Sequence, residues 1–194
     1  MAGAGSPELK EGMTISHYSF SKNMTDRRIA MYSSDGDMLI VPQAGVLHLT
    51  SEFGKLRVQP KEVVIVPRGV KFSMDVEEGK ARGWITELFK GHLQIPDLGP
   101  IGSNGLANER DFMAPVAAYD KEGSSQSWTI VARFMGKTFE YKQDHSPFDV
   151  VAWHGNYFPY KYDLNRFNTI GSISYDHPDP SIFTVLTAQT DDQG

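Results

Sequence analysis

Apolar and polar residues alternate in several short segments of the chain, and Gly, Pro, Asn and Asp separate these segments. This alternation, which repeats every two residues, puts every second side chain on the same face of a β-strand. The clearest case is residues 70–76, VKFSMDV, which follow a continuous apolar run at residues 63–66 and the turn-prone Pro67-Arg68-Gly69. This order predicts a strand, a turn and a second strand.

The same kind of pattern predicts further strands at residues 38–41, 46–50, 56–59, 83–89, 128–134 and 181–188. Gly54 and Gly136 fall where hairpin turns belong. No long stretch has the 3.6-residue period of an amphipathic helix, and only residues 163–167 are expected to form a helical turn. The chain is therefore predicted to be mainly β and antiparallel.

Two long loops interrupt the predicted strands. Residues 94–120 are rich in Gly, Pro and Asn, and loops of that length inside a compact domain are usually functional or lie at an interface. Residues 145–168 are crowded with aromatic side chains, which indicates a packed, ordered loop. Between the two loops, the polar residues 121–127 are interpreted as an exposed hairpin or insertion.

Composition narrows the possible functions. The 194 residues are 40% hydrophobic and 22% charged, as in a folded globular protein. The net charge of −5 provides no basic surface for nucleic acid, and the absence of cysteine excludes disulfides and thiolate metal sites. No apolar run approaches the ~20 residues that cross a bilayer, and no secretory signal is visible. We therefore expect a cytoplasmic protein with no nucleic-acid or membrane partner.

Residues 34–72 resemble the two signature segments of the cupin superfamily, in which a strand enters a Gly turn and a later strand ends in Pro-x-Gly. Metal-binding cupins carry a histidine pair before the first segment and another histidine after the second. Here the first region reads Ala30-Met31-Tyr32-Ser33, and Phe72 occupies the second position. The resemblance implies a cupin-like jelly-roll barrel with an apolar centre that binds no metal.

The chain has six histidines, and most of them are expected to have no special role. His17, His48 and His92 lie in strand-like segments or at their edges, where a surface or hydrogen-bonded histidine is the common case. His145 lies in a polar, turn-prone segment and is predicted to be exposed.

His177-Pro178-Asp179 matches part of a 2-His-1-carboxylate iron site, but no histidine follows it. We favour a tight turn there. His154 is followed by Gly155 and lies among aromatic residues, so it is either a functional acid or base in a pocket or a buried structural histidine. Composition alone favours the structural role.

Long strings of this sequence resemble one family, the homogentisate 1,2-dioxygenases. They cover nearly the whole chain apart from its first dozen residues and residues 121–127. The strings are SDGDMLIVPQ at 34–43, EFGKLRVQP at 52–60, PDLGPIGSNGLANERDF at 96–112, SPFDVVAWHGNY at 146–157, PYKYDL at 159–164 and DHPDPSIFTVLTA at 176–188.

This resemblance implies an Fe(II)- and O₂-dependent oxidoreductase of tyrosine and phenylalanine catabolism that opens the ring of homogentisate to give maleylacetoacetate. It also implies a trimer-based homo-oligomer. In the family the histidine of the W-H-G-N-Y string lies in the active site, as an acid/base or substrate-contacting residue. The resemblance therefore makes His154 the candidate catalytic residue.

The family's iron ligands, two histidines and a glutamate, lie in a C-terminal region beyond the strings matched here. We therefore expect a fragment that is truncated at both ends, binds no iron and is inactive alone. Its expected domains are a cupin-like β domain at residues 1–144 and, at residues 145–194, a loop and the first strands of the junction to the catalytic domain. The alternative hypothesis is a non-catalytic, metal-free cupin-type binding or assembly module.

Overall fold

Twelve β-strands form most of the structure, a computed structural model that describes residues 2–97, 107–119, 126–167 and 184–188. The strands are β1 (Ala2–Ser6), β2 (Glu11–Phe20), β3 (Ile29–Ser33), β4 (Asp37–Ala44), β5 (Leu47–Ser51), β6 (Gly54–Val58), β7 (Glu62–Val66), β8 (Phe72–Val76), β9 (Ala81–Leu88), β10 (Trp128–Phe134), β11 (Lys137–Gln143) and β12 (Tyr160–Asp163). Short 3₁₀ helices occupy Glu109–Asp111 and Leu164–Arg166. The second of these confirms the predicted helical turn. No α-helix occurs among the described residues.

The strands form two six-stranded sheets. One has the order β1-β2-β9-β4-β7-β12, and the other has the order β11-β10-β3-β8-β5-β6. Consecutive strands in the sequence repeatedly fall in different sheets, as β4 and β5 do, or β8 and β9. The chain therefore crosses between the two layers several times.

The main hydrophobic core lies between the sheets, because a single cluster of buried side chains draws on both. From the first sheet it takes residues of β4, β7 and β9, and from the second it takes residues of β5, β6 and β8. Phe72 on β8 is fully buried in this cluster. The position that would hold a metal ligand in a metal-binding cupin is thus part of an apolar interior.

Strand β7 is buried along its whole length, as the continuous apolar run at residues 63–66 predicts. Val64 and Val66 face the main core. Val63 and Ile65 point to the opposite face of the sheet, where they pack with Ala107 and Tyr162 in a second cluster. Ala107 and Phe112, from the connection between β9 and β10, therefore help to cover the outer face of the sheet at this point.

The mainly β prediction is confirmed, but the expected barrel is wrong. The described strands form two separate sheets whose edges are not joined by hydrogen bonds, so the fold is an open, cupin-like sandwich. The antiparallel expectation also fails for one pair, since β10 runs parallel to β3. Six strands, β4 to β9, lie between the two in the chain, so no short hairpin turn forces them to run antiparallel.

Most predicted strands are confirmed within a few residues, and the predicted turns at Gly54 and Gly136 join β5 to β6 and β10 to β11. The pattern missed β1, β2, β3, β11 and β12. The predicted final strand at residues 181–188 is not formed in its described part, since residues 184–188 contribute only an isolated bridge from Thr187 to Gln94. Residues 181–183 and most of the polar segment at residues 121–127 lie outside the described residues. The described part of the chain contains no helix suited to crossing a membrane.

Candidate functional site

His154 lies in the connection between β11 and β12, on a turn that we call the His154 loop, residues 152–158. The imidazole is exposed, and within the described part of the chain no hydrogen bond, ion pair or ring contact reaches it. The following Gly155 has a φ of +119°, a conformation that side-chain-bearing residues rarely adopt. Glycine at this position lets the chain turn directly after the histidine.

The residue before His154 fastens the loop to the sandwich through aromatic packing. The Trp153 ring lies 5.4 Å from the Phe53 ring, nearly perpendicular to it, and 4.7 Å from the Phe158 ring. Phe53 belongs to the turn between β5 and β6. Edge-to-face contacts of this kind are worth about 1 kcal/mol beyond the area that they bury.

Tyr157 fastens the other side of the loop. Its hydroxyl donates a hydrogen bond of 2.7 Å to the carbonyl oxygen of Arg68, and its ring packs edge-on against His92 at 5.7 Å. Burial, followed by the negative charge of nearby Asp37, raises the pKa of the Tyr157 hydroxyl. A tyrosine hydroxyl is protonated at neutral pH, and this shift moves its ionisation still further away, so it remains a hydrogen-bond donor.

A buried carboxylate lies beneath the Tyr157 contacts. Asp37, at the start of β4, has a side chain only 3% exposed. One of its oxygens accepts a hydrogen bond of 3.0 Å from the backbone N–H of Arg68, and the other lies 2.9 Å from Nδ1 of His92. The guanidinium of Arg68 donates to the carbonyl of Gly91 at 2.6 Å. Asp37 thus ties the turn after β7 to the segment after β9.

The other described histidines lie in ordinary surroundings. His17 is exposed beside Trp84, and His48 lies 3.4 Å from Glu77. His145 is exposed, as predicted, and its ring lies 2.7 Å from the carboxylate of its neighbour Asp144. His92 is the hydrogen-bonded histidine that its strand-edge position suggested. His177 lies outside the described residues.

The described residues do not fit an iron centre of the kind that the resemblance implies. Within residues 2–97, 107–119, 126–167 and 184–188, no three His, Asp or Glu side chains are grouped so that they could hold a metal ion. Beside Asp37, the side chain that could serve as a second metal ligand is a single histidine, His92. The positively charged Arg68 lies next to the same carboxylate. We therefore assign no step of a reaction to a metal on these residues.

The sequence drew attention to His154 but not to the groups that hold its loop. Asp37 and His92 are far apart in the chain, and no local pattern pairs them. The one hint in the sequence was the pair Asp35 and Asp37 in the SDGD string, just before an apolar strand. Both side chains are buried and accept hydrogen bonds.

Comparison with known proteins places the chain in a family. Residues 1–164 match the family model described as homogentisate 1,2-dioxygenase N-terminal, and residues 165–194 match homogentisate 1,2-dioxygenase C-terminal. Homogentisate 1,2-dioxygenase of Emericella nidulans is 54% identical over 194 residues, which are 100% of this chain and 43% of that relative. The chain thus spans less than half the length of the relative that it matches. It belongs to the homogentisate 1,2-dioxygenase family.

Proposed function

We propose that this chain is part of an enzyme that opens the ring of homogentisate with O₂ to give maleylacetoacetate, with Fe(II) as cofactor. Family membership over all 194 residues supports the reaction class. In this proposal the sandwich is the scaffold, and the His154 loop is the part of the chain that meets the substrate. Residues 1–144 form the cupin-like domain, and residues 145–194 lead into the catalytic domain.

The observation that carries the proposal is the way His154 is held. Trp153 and Tyr157 are both fastened to the sandwich, while the imidazole between them has no partner among the described residues. The imidazole is exposed, so His154 is not the buried structural histidine that composition favoured. A fixed backbone with a free imidazole suits a side chain that acts on a ligand, and proton transfer from such a group typically contributes about 10²–10⁴-fold to a rate.

Under this proposal, the isolated chain does not open the ring of homogentisate. The described residues offer no group of three metal ligands, and the iron is proposed to bind in the family's C-terminal region. Homogentisate and O₂ are therefore substrates of the full-length enzyme. The alternative, a metal-free binding or assembly module, predicts no turnover from the full-length protein either.

The test is an assay of the full-length protein and of the isolated chain with Fe(II), homogentisate and air. Product is followed by its absorbance, and oxygen uptake is recorded with an electrode. We expect the full-length protein to consume one O₂ for each maleylacetoacetate formed and the isolated chain to form none. Failure of the full-length, iron-loaded protein to consume homogentisate would reject the enzymatic proposal in favour of the alternative.

We propose in addition that the enzyme is a cytoplasmic homo-oligomer built from trimers. Apolar side chains on the outer face of one sheet support an assembly, since Met13, Ile15 and Trp84 are 43%, 40% and 42% exposed on the neighbouring strands β2 and β9. Light scattering of the full-length protein after size-exclusion chromatography tests this. A monomeric mass would contradict the assembly.

A further inference from the structure

We propose that His92, held by Asp37, is a positioning residue: it fixes Tyr157 and thereby the backbone of the His154 loop. This inference rests on the proposed function, because it gives His92 and Tyr157 an effect on the reaction only through His154. Neither residue needs to touch the substrate.

The first step is the orientation of the His92 ring. A carboxylate offers only acceptor oxygens, so the 2.9 Å contact with Asp37 requires the proton of the ring to be on Nδ1. Asp37 is itself fixed, because its side chain is buried and its other oxygen accepts the backbone N–H of Arg68. The ring of His92 is thereby held in one tautomer and one plane, although half of the side chain is exposed.

The second step is the dependence of Tyr157 on that pair. Its hydroxyl donates to the Arg68 carbonyl, and its ring meets His92 at an interplanar angle of 82°. Arg68 and His92, the two residues that Tyr157 contacts, are both hydrogen bonded to Asp37. If His92 moves, Tyr157 keeps only one hydrogen bond at the surface.

The third step is the short path from Tyr157 to His154. Only Gly155 and Asn156 separate them in the chain, and Gly155 has the positive φ that lets the chain turn after His154. Trp153 holds the loop against Phe53 and Phe158, and Tyr157 adds the contacts to Arg68 and His92. A displacement of about 1 Å in a reacting group can cost about 10²-fold in rate. Tyr157 therefore helps to fix the backbone that carries the imidazole of His154.

The structure offers a matched control. Tyr160 also donates its hydroxyl to a backbone carbonyl, that of Leu93, at 3.1 Å. It lies on β12, however, where pairing with β7 fixes the backbone independently of the hydroxyl. Tyr160→Phe removes the same kind of hydrogen bond as Tyr157→Phe without releasing the His154 loop.

The experiment uses the full-length, iron-loaded enzyme with the substitutions Tyr157→Phe, His92→Asn and Tyr160→Phe. Asparagine can still donate to Asp37 but lacks the ring that meets Tyr157. Two quantities are measured: the positions and B-factors of residues 153–158 in crystal structures of the variants, and kcat for homogentisate with and without His154→Ala. We expect Tyr157→Phe and His92→Asn to displace this segment or raise its B-factors and to lower kcat about tenfold, while Tyr160→Phe changes neither.

The double variants separate positioning from other roles. If Tyr157 acts through His154, adding Tyr157→Phe to His154→Ala gives no further loss of kcat. An equal loss in both backgrounds would overturn the inference and leave the proposed function intact. If His154→Ala leaves kcat unchanged, the proposed role of His154 fails instead, and the crystal structures alone then decide whether His92 and Tyr157 hold the loop. Unchanged positions and B-factors of residues 153–158 in both single variants overturn the inference whatever the activity.

Discussion

The interior of the sandwich and the His154 loop are held in place by different means. Buried apolar side chains from six strands of the two sheets pack together in the main core. The His154 loop depends instead on a few directional contacts, made by Trp153 on one side and Tyr157 on the other. Loss of one core side chain should therefore lower the free energy of unfolding, whereas loss of one loop contact should displace the His154 loop.

The largest effect on stability is expected from the core. Phe72→Ala removes a fully buried ring and leaves a cavity between the sheets, which typically costs about 3–5 kcal/mol. Phe139→Ala is the control, because Phe139 on the edge strand β11 is 50% exposed and its loss should cost under about 1 kcal/mol. Urea unfolding of both variants measures the difference. Equal costs would show that the two sheets do not enclose a close-packed interior.

A buried ion pair between β7 and β12 should give the next largest effect. The ammonium of Lys161 lies 2.8 Å from a carboxylate oxygen of Glu62, and their side chains are 13% and 6% exposed. Lys161→Met leaves a buried carboxylate without its counter-charge, which costs about 3 kcal/mol.

The more exposed pair of Lys71 and Glu52 provides the control for this prediction. Its ammonium–carboxylate distance is also 2.8 Å, but Lys71→Met should cost only about 1 kcal/mol or less because solvent screens the pair. The two unfolding free energies are compared in the same buffer. A larger cost at Lys71 than at Lys161 would contradict the role assigned to burial.

A smaller effect is expected at the turn between β10 and β11. Met135 and Gly136 both have positive φ, and the buried carboxylate of Asp35 accepts hydrogen bonds from both of their N–H groups. A Cβ at position 136 would meet only Pro7, at 3.4 Å, so the cost of Gly136→Ala comes from the backbone conformation. We expect a loss of about 1 kcal/mol by thermal or urea unfolding. No loss would mean that the turn can change its conformation.

The smallest effect should appear as a pH dependence. Burial raises the pKa of the Glu87 carboxyl, while the hydrogen bond from Ser33 and the charge of Arg133 oppose this shift. With a raised pKa the folded chain binds this proton more tightly than the unfolded chain. The contribution of Glu87 to stability is therefore greatest below its ordinary pKa of about 4.5 and falls as pH rises through the raised value.

The comparison of the chain with its Glu87→Gln variant isolates this contribution from that of the other carboxyls. The free energy of unfolding of the unsubstituted chain, relative to the variant, should decrease from acidic toward neutral pH. A relative stability that increases over this range would mean that Arg133 and Ser33 outweigh burial.

The sequence predicted those strands in which apolar side chains face the core between the two sheets. Residues 63–66 and 70–76 are apolar where β7 and β8 face the core, so their pattern was sufficient. Strand β2 was missed because its alternation is inverted: the apolar Met13 and Ile15 point outward, while Thr14 and Ser16 point inward. Strand β11 has exposed side chains along most of its length and carries little apolar pattern.

The site was predictable only in part, for a related reason. Resemblance drew attention to His154, whose string of residues is contiguous in the chain. The pairing of Asp37 with His92, and the contact of Tyr157 with Arg68, join segments that are distant in sequence. A pattern along the chain carries no information about such pairs, which depend on how the turns after β7 and β9 meet.

The central claim is that the His154 loop serves the reaction and contributes little to stability. The most direct measurement is kcat for homogentisate in the full-length, iron-loaded enzyme with His154→Ala, alongside His145→Ala as a control at another exposed histidine, whose ring pairs with the exposed Asp144. The account predicts that His154→Ala lowers kcat by about 10²–10⁴-fold at an unchanged melting temperature, while His145→Ala has no effect on either. Full activity of a folded His154→Ala enzyme would contradict the account.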